Sequence, residues 1–170
     1  MLSRAYWLLK SEPADYSITK MASERRTVWD GVRNAIARKN LRAMSVGDRC
    51  LFYHSSCGKN VGVVGLVAVC ASAYPDPVDI KWSVVDVEYV ETFPMCISLE
   101  TLKQHKDGPL DGMALFRQPR LSVQPVSKEH FDFILSLRDG GDRPLHADSC
   151  DFKASSQKKR PRSQDADDES

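Results

Sequence analysis

The chain has 170 residues, 42% of them hydrophobic, and a formal net charge of +1. That length suits one domain plus a tail, and the near-zero charge declares no global attraction to nucleic acid, so such a partner would have to be held by local clusters. No stretch approaches the ~18 consecutive apolar residues of a membrane span, the N-terminus shows no secretory pattern, and the five cysteines (Cys50, Cys57, Cys70, Cys96, Cys150) contain no Cys-x-x-Cys spacing. Neither a disulfide framework nor a zinc knuckle is indicated, and a reducing compartment, cytosol or nucleus, is expected.

Residues 5–10, Ala-Tyr-Trp-Leu-Leu-Lys, read as a first strand, ended by Ser11-Glu12-Pro13 because proline cannot continue a ladder. Residues 17–24 suit a brief helix capped by Ser17, and residues 28–32 a loop carrying a large aromatic, Trp29. Residues 34–44 form a helix with Ala37, Leu41 and Met44 on one apolar face. Strands follow at 49–54 and 61–72, joined by the polar connection 55–60. Residues 82–90 alternate, with Val85, Val87 and Tyr89 on one side and Asp86 and Glu88 on the other. Ser98 caps a short helix reaching Leu102, and residues 121–123 read as a last strand. Ser127 then caps a helix with Phe131, Ile134 and Leu135 packed inward. About five strands and several short helices, with strands mostly adjacent in sequence, suit a small mixed barrel with helices around it. After Asp139 the pattern fails. Residues 140–170 offer little apolar surface and are expected to be disordered.

Four places carry candidate chemistry, and each also has a structural explanation. Lys10-Ser11-Glu12-Pro13 presents a lysine and a hydroxyl at a strand end, or is a surface turn. In Trp29-Asp30-Gly31-Val32-Arg33-Asn34 the tryptophan is a stacking platform or a plug for the barrel end, and Asn34 reads a base edge or caps the next helix. In Phe52-Tyr53-His54-Ser55-Ser56, alternation sends Phe52 and His54 to one face and Tyr53 and Ser55 to the other. His54 lies among hydroxyls with Cys57 nearby, which leaves a thiol enzyme open beside a polar pocket wall. Arg25, Arg26, Arg33, Arg38, Lys39 and Arg42, against Asp30 alone between them, make a local basic patch suited to phosphate or a solvated helix face.

Taken together, seven stretches in order closely resemble the EVE domain over residues 4–138. They are Tyr6-Trp7-Leu8-Leu9-Lys10-Ser11-Glu12-Pro13, Val28-Trp29-Asp30-Gly31-Val32-Arg33-Asn34, Phe52-Tyr53-His54-Ser55-Ser56-Cys57, Val63-Val64-Gly65, Ala73-Tyr74-Pro75-Asp76-Pro77, Trp82-Ser83-Val84-Val85-Asp86-Val87, and Arg117-Gln118-Pro119-Arg120-Leu121-Ser122-Val123-Gln124-Pro125. The resemblance implies a PUA-like pseudo-barrel, distantly similar to YTH domains, in which a loop tryptophan is one wall of an aromatic cage around a methylated base. By that likeness Trp29 is the stacking wall. The family is associated with 5-hydroxymethylcytosine and 5-methylcytosine in DNA, and no catalytic activity is attached to it. Its nuclear members carry a basic tail, which Lys158-Lys159-Arg160-Pro161-Arg162 resembles. They also carry a longer polar insertion where this chain has only Val78-Asp79-Ile80 before Lys81-Trp82. Tyr74 and Trp82 are the candidates for a second cage wall.

The resulting expectation is an α+β chain. A PUA-like mixed β pseudo-barrel surrounded by short α-helices occupies residues 1–139, and a disordered tail with a basic cluster occupies 140–170. The expected function is non-enzymatic reading of a modified cytosine in DNA, by a nuclear monomer without cofactor, metal or membrane contact. The base pocket is expected from Ser11, Trp29, Gly31, Val32, Asn34, Tyr53, His54, Ser55, Tyr74 and Trp82, phosphate contacts from Lys10, Arg33, Arg38 and Arg117, and nuclear import from Lys158, Lys159, Arg160 and Arg162. The rival readings are a reader of a modified RNA base, an enzyme using Cys57 or His54, and an adaptor acting through its tail.

Overall fold

The computed structural model describes residues 4–138 and 143–144. In chain order the elements are β1 (Tyr6–Ser11), α1 (Ile18–Glu24), β2 (Arg26–Trp29), α2 (Ala35–Ala43), β3 (Arg49–His54), β4 (Gly62–Pro75), β5 (Ser83–Ser98), α3 (Leu99–Lys103), α4 (Ala114–Arg117), β6 (Val123–Val126), α5 (Lys128–Ser136) and β7 (Arg143–Pro144). A 3-10 turn, Gly58–Asn60, lies between β3 and β4. Four of the helices start on a side-chain oxygen that accepts from a backbone N–H of the first turn: Ser17 on α1, Asn34 on α2, Ser98 on α3 and Ser127 on α5. These caps set the helix boundaries close to where the sequence placed them.

The strands run β2-β5-β4-β3-β1-β6 across one mixed sheet, and β7 pairs with β5. Every strand of that path contributes to a single buried cluster: Trp29 from β2, Val85 and Val87 from β5, Val64, Val67 and Val69 from β4, Cys50 and Phe52 from β3, Trp7 and Leu9 from β1, Val123 from β6. Both edge strands therefore pack on the same core, as a pseudo-barrel requires, and α1 and α2 add Ile18, Met21, Ala37 and Leu41 to it. The opposite face builds a second core from Leu8, Leu51, Tyr53, Leu66, Phe93 and Ile97, covered by Leu102, Leu115, Phe131 and Ile134 from α3, α4 and α5. With both faces covered, β3 and the first half of β4 read as continuous apolar runs.

β4 and β5 are long, and their register shifts at several points, including between Val63 and Gly65. The shifts mark irregularities that bend the ribbon, and the one between Val63 and Gly65 exchanges the faces of β4: Val63 and Leu66 belong to one core, Val64 and Val67 to the other. Glycine is required at the crossing. A Cβ on Gly62 would fall 2.2 Å from the Ile97 carbonyl oxygen, and one on Gly65 2.5 Å from that of Glu91.

β1 lies between β3, parallel in the register Tyr6↔Arg49 to Ser11↔His54, and β6, antiparallel. A parallel neighbour demands a crossover, and residues 12–48, with α1, β2 and α2, supply it. The buried Asp48 carboxylate fixes this arrangement. It accepts from Ala5 N at 3.0 Å, from the Trp7 indole Nε1 at 2.9 Å and from Ser45 N at 2.9 Å.

Several expectations need correction. Trp29 is not on a loop: it ends β2, opposite Val85. β5 continues to Ser98 rather than stopping near Val90, the last strand of the main path is Val123–Val126, and α4 was not anticipated. Strand neighbours in the β1 region are distant in sequence, because β1 pairs with β3 and β6. Within the stretch expected to be disordered, Arg143 and Pro144 pair with Cys96 and Met95; the basic cluster 158–162 lies outside the described residues.

Asp48→Ala would leave three donors without their acceptor, one of them a buried indole, and each unsatisfied buried donor costs ~1–3 kcal/mol. The variant should lose about 3 kcal/mol or more of unfolding free energy in a urea titration; unchanged stability would show that Asp48 does not fix the β1–β3 register.

Candidate functional site

A cleft of about 940 Å³ opens at the C-terminal end of β1 and is walled by the segment after β1, by β2 and the turn that follows it, by Ser55 and Ser56, and by the approach to β6 at Pro119, Arg120 and Ser122. Its volume lies in the ~300–1,000 Å³ range of small-ligand sites. The parallel pairing of β1 and β3 creates it. Both strands end on the same side, Ser55 N donates to the Ser11 carbonyl at 2.9 Å, and the crossover returns Trp29, Gly31, Val32 and Arg33 to that same end.

The structure brings together seven of the expected residues on the cleft wall: Lys10, Ser11, Trp29, Gly31, Val32, Arg33 and Ser55. Trp29 is 8% exposed. Its ring meets Phe52 and Tyr16 edge-on, at centroid distances of 5.6 and 6.2 Å. It is both a core residue and part of the cleft wall. Gly31 has φ +80°, which favours glycine, and no atom lies within 4 Å of where a Cβ would stand; backbone is thus accessible beside the tryptophan. The Ser11 hydroxyl donates to the Tyr16 carbonyl, and the Lys10 ammonium to that of Pro119. Burial lowers the Lys10 pKa from its ordinary value. The Tyr16 phenol is pushed up to about 12, chiefly by burial and then by its hydrogen bond to Glu24, so it stays protonated.

Other expected residues stand elsewhere. His54 is buried, and its Nε2 accepts from Ile18 N at 3.0 Å, fixing the start of α1 against β3. Tyr53 points to the opposite face, into the second core, where burial raises its pKa. Asn34 spends its side-chain oxygen on Ile36 N and Ala37 N as the α2 cap. The Tyr74 hydroxyl donates to Asp86 at 2.6 Å, and Tyr74 lines a separate hollow of about 170 Å³ with Arg42 and Ile80. Trp82 is half-buried under three cations: Arg38 at 4.9 Å, Arg33 at 5.5 Å and Lys81 at 5.8 Å from the ring centre. Arg117 is exposed on α4 and does not line the cleft. Alternation foretold the divergence of Tyr53 and His54, but only three-dimensional packing shows that both faces of β3 are core.

The sequence reading missed Glu12, Asp15, Tyr16, Thr27, Val28, Asp30, Ser56, Pro119, Arg120 and Ser122 as wall residues. Asp30, Arg120 and Ser122 sit inside stretches already singled out, which was the available signal; Asp15 and Tyr16 lie in an unremarkable turn. The wall carries Lys10, Arg33 and Arg120 against Glu12, Asp15 and Asp30, so cations and carboxylates face one space.

Against known proteins, the model of the EVE domain matches residues 5–137. The chain belongs to the EVE domain family. Mouse thymocyte nuclear protein 1 is 41% identical over 167 residues, covering 79% of this chain and 74% of its own length. A hypothetical protein from Leishmania major superposes with a TM-score of 0.76 at 41% identity, covering 81% of this chain and 96% of that one. The human THYN1 protein, solved in complex with DNA containing 5-methylcytosine, superposes with a TM-score of 0.73 at 37% identity, covering 79% and 98%. The EVE domain accordingly has the expected mixed α+β fold. Among its described residues no helix is long and apolar enough to cross a membrane.

Truncating a buried Trp costs ~3–5 kcal/mol, so Trp29→Ala should lower the unfolding free energy of this EVE domain by about that amount, and Trp29→Phe by clearly less. A Trp29→Ala protein that melts like the parent would place the residue outside the core.

Proposed function

We propose that this EVE domain, comprising residues 1–139, is a non-enzymatic, monomeric reader of a modified cytosine, 5-methylcytosine or 5-hydroxymethylcytosine, in DNA. The observation that carries the reading is the cleft itself: Trp29, the open Gly31 backbone and the serines Ser11 and Ser55 line it together with Lys10, Arg33 and Arg120. A base turned out of the stack needs an apolar wall and hydrogen-bonding groups around its edge. Trp29 and Val32 supply the wall. Ser11, Ser55 and the Gly31 backbone supply hydrogen bonds, and the cations receive flanking phosphates without reading sequence. The complex of the human relative with 5-methylcytosine DNA supports DNA as the polymer.

The carboxylates favour cytosine. They repel phosphate, but they accept hydrogen bonds, and cytosine presents an exocyclic amine where thymine presents a carbonyl. Asp30 adjoins Trp29 and Gly31 on the wall. 5-Methylcytosine and thymine share the 5-methyl group, so a carboxylate placed at position 4 separates them by the amine that stands where thymine has its carbonyl.

Titration of otherwise identical duplexes carrying cytosine, 5-methylcytosine, 5-hydroxymethylcytosine or thymine at one position, with matched RNA as competitor, tests the reading. The parent should prefer a modified cytosine in DNA. Asp30→Asn should narrow the preference over thymine by roughly tenfold, as expected for a contact worth ~1–3 kcal/mol. Equal binding of all four duplexes would remove the reader assignment, and a preference for the modified RNA would transfer it to that polymer.

The naming of the vertebrate relatives as nuclear proteins supports nuclear residence, which we assign to the basic run Lys158, Lys159, Arg160 and Arg162. Alanine at the first three should abolish nuclear enrichment of a fusion too large to diffuse through pores; undiminished enrichment would place the signal elsewhere.

A further inference from the structure

The loop joining β4 to β5 combines tight order with exposed apolar side chains. Asp76, 2% exposed, organises it. One carboxylate oxygen accepts from Val78 N at 2.9 Å, and the other from the Arg33 guanidinium at 3.3 Å. The backbone closes through Asp76 N to the Trp82 carbonyl and Trp82 N to the Asp79 carbonyl, both at 2.9 Å. At the tip of this braced turn Val78 is 88% and Ile80 77% exposed. Exposed β-branched side chains on a rigid turn gain nothing for the fold of the domain.

The surroundings are rich in cations, with Asp76 buried at the loop's base and Asp79 between the two apolar residues, its carboxylate accepting from Lys81 N. Arg33, Arg38 and Lys81 gather around Trp82, and Arg42 reaches the Ser83 hydroxyl at the start of β5. A ring orders cations by its quadrupole without cancelling their charge. Of the three around the ring, Arg33 has a carboxylate partner, whereas Arg38 donates to the Lys81 carbonyl. Arg33 is shared: it walls the cleft and also binds Asp76 at the base of the loop. Arg33 therefore joins the base of the loop to the cleft wall, on a flank rich in cations.

We propose that the 77–81 loop is an apolar wedge that enters the base stack of duplex DNA, Val78 and Ile80 occupying the opened step while Arg38 and Lys81 hold the adjoining phosphates. This rests on the base-reading proposal, because a base drawn into the cleft leaves a gap in the stack. Apolar side chains inserted between base steps stabilise such openings, and cations beside them neutralise the backbone. Single-stranded DNA has no duplex step to hold open, so the wedge contributes to duplex binding alone.

The test compares Val78→Ser/Ile80→Ser with the parent on a duplex carrying one 5-methylcytosine and on the same strand alone. Duplex affinity should fall by about tenfold or more, with single-strand affinity within about twofold. A 2-aminopurine beside the modified base should brighten on binding the parent and not the variant. Val78→Leu/Ile80→Leu, which keeps the apolar bulk, should retain most of the duplex affinity. Unchanged duplex binding by the serine variant, or an equal loss on both substrates, overturns the wedge. If the parent binds modified and unmodified duplex alike, the base-reading proposal fails, while a duplex-selective loss in the serine variant still supports insertion.

Discussion

The structure depends on a buried carboxylate. Asp48 sits immediately before β3 and binds the chain entering β1 and the Trp7 indole within it. It thereby sets two strands side by side that are separated by the whole crossover. Their parallel pairing is costly in loop closure and offers no hairpin shortcut. What it provides is a common end. Ser11 and Ser55 meet there, and the crossover returns the tryptophan, the glycine and Arg33 to the same place. The cleft is a consequence of strand polarity before it is a consequence of any side chain.

Rigidity around the cleft comes from side chains that sequence logic offered to a ligand. His54 holds the first residue of α1, Asn34 holds the first turn of α2, and Tyr53 fills the second core. All three are polar groups with structural partners, and they fix the elements that aim the true wall residues. Trp29 joins the two regimes: edge contacts with Phe52 and Tyr16 lock its ring, so the part that lines the cleft is held in one position.

Charge is arranged by the same economy. The chain is nearly neutral, yet around Trp82 three cations stand together on a π-face. The buried Asp76 anchors one of them while bracing the neighbouring loop. An ion pair for each cation would have erased the local field. The aromatic scaffold leaves a local concentration of cations on a nearly neutral protein.

The sequence by itself determined four of the helices and their caps, because Ser17, Asn34, Ser98 and Ser127 are local signals acting within one turn, whereas α4 has no side-chain cap to announce it. It also determined the apolar strands, the family, and the central motif residues of the cleft. Where a long-range partner decides the outcome, only the tertiary structure could. β2 is a strand because β5 lies beside it, and Trp29 joins a wall because β1 and β3 run parallel. The face exchange along β4 follows from bulges that no period-2 pattern encodes. Asp15, Tyr16 and Arg120 belong to the cleft through packing between segments about a hundred residues apart. A cap is satisfied by its neighbours in the chain; a cleft wall is satisfied by whatever the fold brings opposite it, and that is settled only when the register of the sheet is set.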